Sequence, residues 1–252
     1  MGFSAKRLLV GISMCAFAAA IAFAQTGEQS STAKKPATTS HSAARPAGPG
    51  YDRALLTPSA LVATAPAEFD VKFVTTKGDF TVHVTRAWAP RGADRFYNLA
   101  RHHFFNGAYF FRVIPGFVAQ FGISPYPAVA KVWDSADIKD DPVTHHNVPG
   151  TIVFATAGPN TRTSQLFINY RDNTSNLDPQ GFAPFGEVTE GMDVVKALHS
   201  DGGDLDQDKI TAGGKDYIQK NFPQMDMIKT TTLVMPAPAP KTGTTAKPGT
   251  SH

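Results

Sequence analysis

Cysteine is nearly absent: Cys15 is the only one among the 252 residues. It lies in the apolar N-terminal stretch and follows Met14, whereas a lipid-anchored cysteine needs a small residue before it. Removal of that stretch leaves no thiol, which excludes both disulfide bonds and thiol catalysis. A surplus of one charge is also missing. Lys and Arg number 24 against 21 Asp and Glu, giving a net charge of +3 spread along the chain. Phosphate recognition needs a concentrated basic footprint, so no nucleic-acid partner is expected. The one long apolar run, Leu8 to Phe23, follows Lys6 and Arg7 and ends at Ala22-Phe23-Ala24. It is marginal for a membrane span, which takes about 20 residues. Its positive start and small-x-small end fit a secretory signal cleaved after Ala24. Residues 1–24 are therefore expected to direct export to the periplasm or medium, with no membrane span after cleavage. A retained N-terminal anchor is the other reading of the same run.

Several chemistries lack their residues. No third histidine or carboxylate stands at ligand spacing from His102-His103 or His145-His146, so neither a metal nor a cofactor is expected. Ser164 lacks the Gly-x-Ser-x-Gly elbow of a serine hydrolase. The acid-rich stretch from Asp201 to Asp208 lacks EF-hand spacing and reads as a solvated loop.

Residues 25–67 are rich in Ser, Thr, Ala, Pro, Gly and Lys, and so are residues 236–252. Such stretches bury too little apolar surface to offset their ordering entropy, and both read as disordered. Residues 68–235 remain as a single domain of ordinary size. Phe69, Val71 and Phe73, then Phe80, Val82 and Val84, alternate with polar neighbours around Lys77-Gly78 and predict a hairpin. Pro90 sits at the start of a helical pattern carried by Phe96, Leu99 and Ala100. Short strand patterns follow over 109–113, 117–121, 151–155, 166–169 and 185–188. A second helix is marked by Met192, Val195 and Leu198, and a last strand by Ile228 to Val234. Two helices are too few to cover a parallel sheet, so a barrel plugged by helices is expected. A monomer is expected.

Two stretches carry the chemistry. In Phe110-Phe111-Arg112-Val113-Ile114-Pro115-Gly116-Phe117-Val118-Ala119-Gln120, a Pro-Gly pair breaks the strand register so that Arg112, Phe117 and Gln120 can converge. The second runs from Phe154 through Ala155, Thr156, Gly158-Pro159-Asn160 and Gln165 to Phe167, with a turn in its middle. Together they resemble the two signature stretches of cyclophilins, F-x-R-x-I-P-G-F-x-x-Q and A-x-A-G-P-N-x-x-x-S-Q-F-F, with Leu166 replacing an aromatic. Phe185-Gly186-Glu187-Val188 resembles the family's later F-G-x-V strand.

The resemblance implies a closed eight-stranded antiparallel β-barrel capped by two α-helices, working as a peptidyl-prolyl cis–trans isomerase on proline-containing polypeptides. It makes Arg112 the catalytic residue. It makes Phe117 and Phe167 walls of a proline pocket, with Gln120 and Gln165 beside it and Ala155 pairing with the substrate chain. Thr156, Leu177 and Phe182 complete the expected substrate-binding set. Leu177 stands in a neighbourhood without the family's frequent Trp, and the expected binding of cyclosporin is correspondingly weak.

The chemistry suits these residue types. Amide rotation costs about 18–20 kcal/mol through lost resonance, and X-Pro bonds turn in tens to hundreds of seconds unaided. Reaching milliseconds takes about 7 kcal/mol. No bond breaks, so no nucleophile or metal is called for. In the twisted state the nitrogen regains its lone pair, and a fixed guanidinium donating to it favours that state over the planar one. The alternative reading is a module of the cell envelope that grips proline segments without turning them.

Overall fold

The computed structural model describes residues 50–200 and 205–235. Eight antiparallel strands form its one sheet: β1 (Glu68–Thr75), β2 (Asp79–Thr85), β3 (Arg112–Ile114), β4 (Val118–Phe121), β5 (Thr151–Phe154), β6 (Leu166–Asn169), β7 (Pro184–Glu190) and β8 (Ile228–Val234). Their spatial order is β3-β4-β6-β5-β7-β2-β1-β8. The helices are α1 (Pro90–Arg101), α2 (Pro127–Trp133), α3 (Thr174–Leu177), α4 (Met192–Lys196) and α5 (Gln207–Asn221).

The alternation predicted for the first hairpin holds. Phe69, Val71, Phe73, Phe80, Val82 and Val84 are all buried, and Phe73 pairs with Phe80 with rings stacked 4.7 Å apart. Gly78 takes φ +137° at the turn, where the Thr75 hydroxyl donates to its carbonyl at 2.7 Å. Helix α1 starts at Pro90 as read, and the amides of Arg91 and Gly92 at its first turn donate to the Asp141 carboxylate. Phe96 and Leu99 bury its inner face, and the turn after it puts His103 at φ +55°. Phe121, which follows Gln120, is wholly buried and meets Phe73 edge-on at 5.9 Å. A large ring there fills the core.

The sheet is an open half-barrel and not the closed barrel expected. Its edges are β3 and β8. Near them only an isolated Tyr109–Met227 bridge and three backbone hydrogen bonds join residues 107–110 to 226–228. β3 is three residues long, and its Val113 carbonyl accepts from the Ser200 hydroxyl at 2.6 Å instead of from a ninth ladder partner. The helix expectation also needs correction. The pattern at Met192, Val195 and Leu198 yields only the five-residue α4. The larger element, α5, starts at the end of the acid-rich stretch read as a loop and runs on through residues for which no helix was expected. Asp206 caps α5 by accepting from the amides of Asp208 and Lys209. Ile210 and Ile218 bury its inner side, while Gly213-Gly214 weakens the helical signal between them.

Helices α2 and α5 build a second apolar core with Tyr109, Phe111, Ile123 and Met225. The expected disordered linker over 25–67 ends earlier than read. Residues 50–67 pack on the domain, with Leu55 1% exposed and its carbonyl accepting from Trp133 Nε1 at 2.8 Å. Asn98 clamps Ala63 by two hydrogen bonds. The expectations for residues 1–24, 25–49 and 236–252 lie outside the described residues. Among the described residues no helix is long and apolar enough to cross a membrane.

Candidate active site

The site grows out of strand register. Arg112 on β3 pairs with Gln120 on β4, Gln120 with Phe167 on β6, and Phe167 with Val153 on β5. Cross-strand partners share a face, so these four side chains form one row across the sheet. The adjacent row, Val113, Ala119, Ile168 and Ile152, faces the main core. Phe167, Val153, Val118 and Leu177 instead form their own apolar cluster, with Phe117, Ala155 and Phe182 packed against it.

A cavity of about 170 Å³ opens on this face, lined by Arg112, Phe117, Val118, Gln120, Ala155, Thr156, Phe167, Leu177 and Phe182. Eight of the nine residues expected at the site therefore meet in one place. Phe117 is delivered by the turn after β3, where Gly116 takes φ +69° and the Phe117 amide donates to the Ile114 carbonyl at 2.9 Å. The Phe167 and Phe182 rings meet edge-on at 5.6 Å. Leu177, at the end of α3, closes the apolar wall. The ninth residue, Gln165, is absent from the lining and acts on it: Gln120 Nε2 donates to Gln165 Oε1 at 2.9 Å. Gln120 Oε1 in turn accepts from Arg112 Nη1 at 3.4 Å. Thr156 opens the 156–161 turn, where its hydroxyl donates to the Gly158 carbonyl and meets the Thr161 hydroxyl.

Val118 is a lining residue that the sequence reading missed. Its signal was available, because residues 118 and 120 point to the same face of a strand. The lining holds one cation, Arg112, and no carboxylate. Asp178 lies just behind it, next to Leu177. Burial pushes its carboxyl up, yet hydrogen bonds from Asn147 and His146 outweigh this and leave it below the usual carboxylate range.

The paired histidines are separated by their contacts. His102 meets Asp52 and His146 meets Asp178, each at 2.7 Å, while His145 stacks on Trp88 at 4.0 Å. Among the described residues no three His, Cys, Asp or Glu side chains are grouped as a metal site would need. The Ser164 hydroxyl donates to the Gly122 carbonyl at 2.9 Å, a structural bond.

The sequence model of the family described as cyclophilin type peptidyl-prolyl cis-trans isomerase matches residues 70–221. The chain belongs to that family. This cyclophilin is 36% identical over 133 residues to a peptidyl-prolyl cis-trans isomerase of Acinetobacter baylyi, covering 51% of this chain and 70% of the relative. It is 31% identical to peptidyl-prolyl cis-trans isomerase B of Escherichia coli over 63% of this chain and 94% of the relative. A cyclophilin crystal structure from Cryptosporidium parvum, 19% identical, superposes with a TM-score of 0.50 over 66% of this chain and 97% of that one, a likeness of fold. The cyclophilin is thus a peptidyl-prolyl cis-trans isomerase, an enzyme of the EC 5.2.1.8 type.

Proposed function

We propose that this isomerase turns X-Pro bonds of exported or envelope proteins in the cavity on the β3-β4-β6-β5 face, with Arg112 as the catalytic residue. The observation that supports this reading is the cross-strand row, which sets the Arg112 guanidinium against Gln120 at the border of an otherwise largely apolar cavity. An apolar cavity of about 150 Å³ admits benzene, so a pyrrolidine ring fits among Phe117, Phe167, Leu177 and Phe182. Held there, the ring is fixed while the preceding residue rotates.

The Arg112 guanidinium donates to the prolyl nitrogen as it becomes pyramidal, an interaction the planar amide cannot accept in full. Gln120 has its amide oriented by Gln165 and grips a carbonyl of the substrate chain. Ala155 and Thr156, at the entry to the 156–161 turn, border the path of that chain. No covalent intermediate, metal or proton transfer takes part. Export rests on residues 1–24, and a monomer is the working unit.

A protease-coupled isomerisation assay on an X-Pro peptide tests the mechanism. Arg112→Ala should lower kcat/KM by about 10²–10³-fold with an unchanged circular dichroism spectrum. Equal, accelerated rates for the two proteins would overturn the role of Arg112. A wild type no faster than the unaided peptide would leave the reading as a non-catalytic proline-binding module. N-terminal sequencing of the protein from a cell envelope fraction tests export, with Gln25 expected first.

A further inference from the structure

Three of the cavity walls lie outside the strand ladders. Phe117 sits in the turn between β3 and β4, Leu177 ends the single turn of α3, and Phe182 lies in the loop before β7. A sheet-type hydrogen bond reaches only Phe117, whose carbonyl accepts from the Tyr170 amide at 2.9 Å, and does not set its distance from Leu177 and Phe182. Behind them run three asparagines, Asn147, Asn169 and Asn173, exposed by 0%, 0% and 2%. None of them lines the cavity.

Their amides form one continuous chain. Asn173 Nδ2 donates to the Phe117 carbonyl at 3.2 Å and to Asn169 Oδ1 at 2.7 Å. Asn169 Nδ2 donates to Asn147 Oδ1 at 3.1 Å and to the Thr151 hydroxyl at 2.9 Å. Asn147 Nδ2 donates to the Phe182 carbonyl at 2.8 Å and to Asp178 Oδ1 at 2.7 Å. The third wall joins through the main chain, where the Leu177 amide donates to the Asn173 carbonyl at 2.8 Å.

We infer that Asn147, Asn169 and Asn173 are positioning residues, a buried frame that sets the distance between the Phe117 and Phe182 walls and so the fit of the proline ring. The inference rests on the proposed reading of the cavity as the proline site. A side-chain amide carries two donors and two acceptor lone pairs, and leaving any of them unpaired in a dry interior is costly. Each amide is therefore held in one orientation by the next, and displacement at one end is transmitted to the other. A loop tether would need only local bonds. This chain starts and finishes on the backbones of two cavity walls that are far apart in sequence.

The test compares Asn147→Ala and Asn173→Ala with Asn98→Ala in the full chain. Asn98 is equally buried, at 2% exposure, and makes three hydrogen bonds, two to Ala63 and one to the Asp94 carbonyl, away from the cavity. All three variants should lose thermal stability. Only Asn147→Ala and Asn173→Ala should raise KM for an X-Pro peptide, by about tenfold for the loss of a buried bond, while Asn98→Ala keeps the wild-type KM. Three variants with lowered Tm and one common KM would overturn the frame.

If the alanine variants do not fold, Thr151→Val removes a single hydroxyl at the far side of the chain from the cavity. It should raise KM by about threefold, and an unchanged KM would count against the inference equally. Peptide affinity followed by amide chemical shifts, measured also in the Arg112→Ala background, reads the frame without turnover. Failure of the catalytic reading, seen as equal rates in wild type and Arg112→Ala, thus stays separate from failure of the frame, seen as unchanged peptide affinity.

Discussion

Gln120 donates through Nε2 to Gln165 Oε1 at 2.9 Å while its own Oε1 accepts from Arg112 Nη1 at 3.4 Å. A side-chain amide turned over would present its NH₂ group to the guanidinium, so Gln165 fixes which way Gln120 faces. The partners come from β4 and from the residue just before β6, neighbours in the sheet although 45 positions apart. Gln165→Ala is expected to lower kcat/KM by about five- to tenfold, the worth of one partly buried hydrogen bond. In an Arg112→Ala background the same change should cost little, because there is then no guanidinium to orient against. A double-mutant cycle on isomerisation rates measures this coupling, and additive losses would count against it.

Gly214 interrupts α5 at φ +55°, ψ −146°, a conformation essentially reserved for glycine. A Cβ there would come within 2.4 Å of the Pro125 carbonyl oxygen and 2.8 Å of Pro127 Cδ, and the next amide, Lys215, donates to that same carbonyl at 3.0 Å. The glycine therefore lets α5 close onto the start of α2. Gly214→Ala should destabilise the domain by roughly 2–4 kcal/mol, combining backbone strain with steric overlap. Urea denaturation measures the loss, and limited proteolysis should show cleavage within 205–221 before the rest of the domain is cut.

How much of this was legible in the sequence depended on whether the signal was local. The hairpin of β1 and β2 was readable because Phe69, Val71 and Phe73 alternate inward, as do Phe80, Val82 and Val84. The cavity was readable through the two stretches that resemble the cyclophilin signatures, one holding Arg112, Phe117 and Gln120 and the other Ala155, Thr156 and Phe167. Helix α5 was hidden because glycines stand at its centre and acidic residues at its start, although Ile210 and Ile218 carry its buried side. The packing of Leu55 under Trp133 was hidden because the surrounding residues have the composition of a linker, and one buried leucine makes no period. The open seam between β3 and β8 was equally out of reach, because no residue type distinguishes a three-residue strand from a longer one. The asparagine frame joins residues 147, 169 and 173 only through folding.

The segment over residues 50–67 acts as a strap. Leu55 is 1% exposed, and its carbonyl takes the Trp133 indole hydrogen bond, tying the strap to α2. Leu55→Ala should cost about 2–5 kcal/mol as a buried truncation, lowering Tm by roughly 5–15 °C for a domain of this size. Trp133→Phe, which leaves the Leu55 carbonyl without its donor, should cost about 1–3 kcal/mol. No strap residue lines the cavity, so kcat/KM measured well below Tm should stay at the wild-type value. Differential scanning calorimetry beside the isomerisation assay separates the two effects.

Acid should weaken the wall that carries Leu177 and Phe182 through Asp178. Its carboxyl sits below the ordinary value of 3.8, since the hydrogen bonds from Asn147 and His146 outweigh the opposing effect of burial. A depressed folded-state value means that the ionised form favours folding. That contribution is complete above the unfolded value. It is lost as pH falls from there through the folded value, where the unfolded chain takes up a proton that the folded protein refuses. Wild type should therefore be more stable than Asp178→Asn at neutral pH, and the difference should shrink between roughly pH 5 and pH 2. His146→Ala removes one of the two side chains that hold the carboxylate and brings its folded-state value closer to the ordinary one. The acid-dependent loss through Asp178 should then be smaller than in wild type and complete at higher pH. Urea denaturation across that range measures all three proteins. A constant difference between wild type and Asp178→Asn would mean that the aspartate contributes by shape rather than by charge.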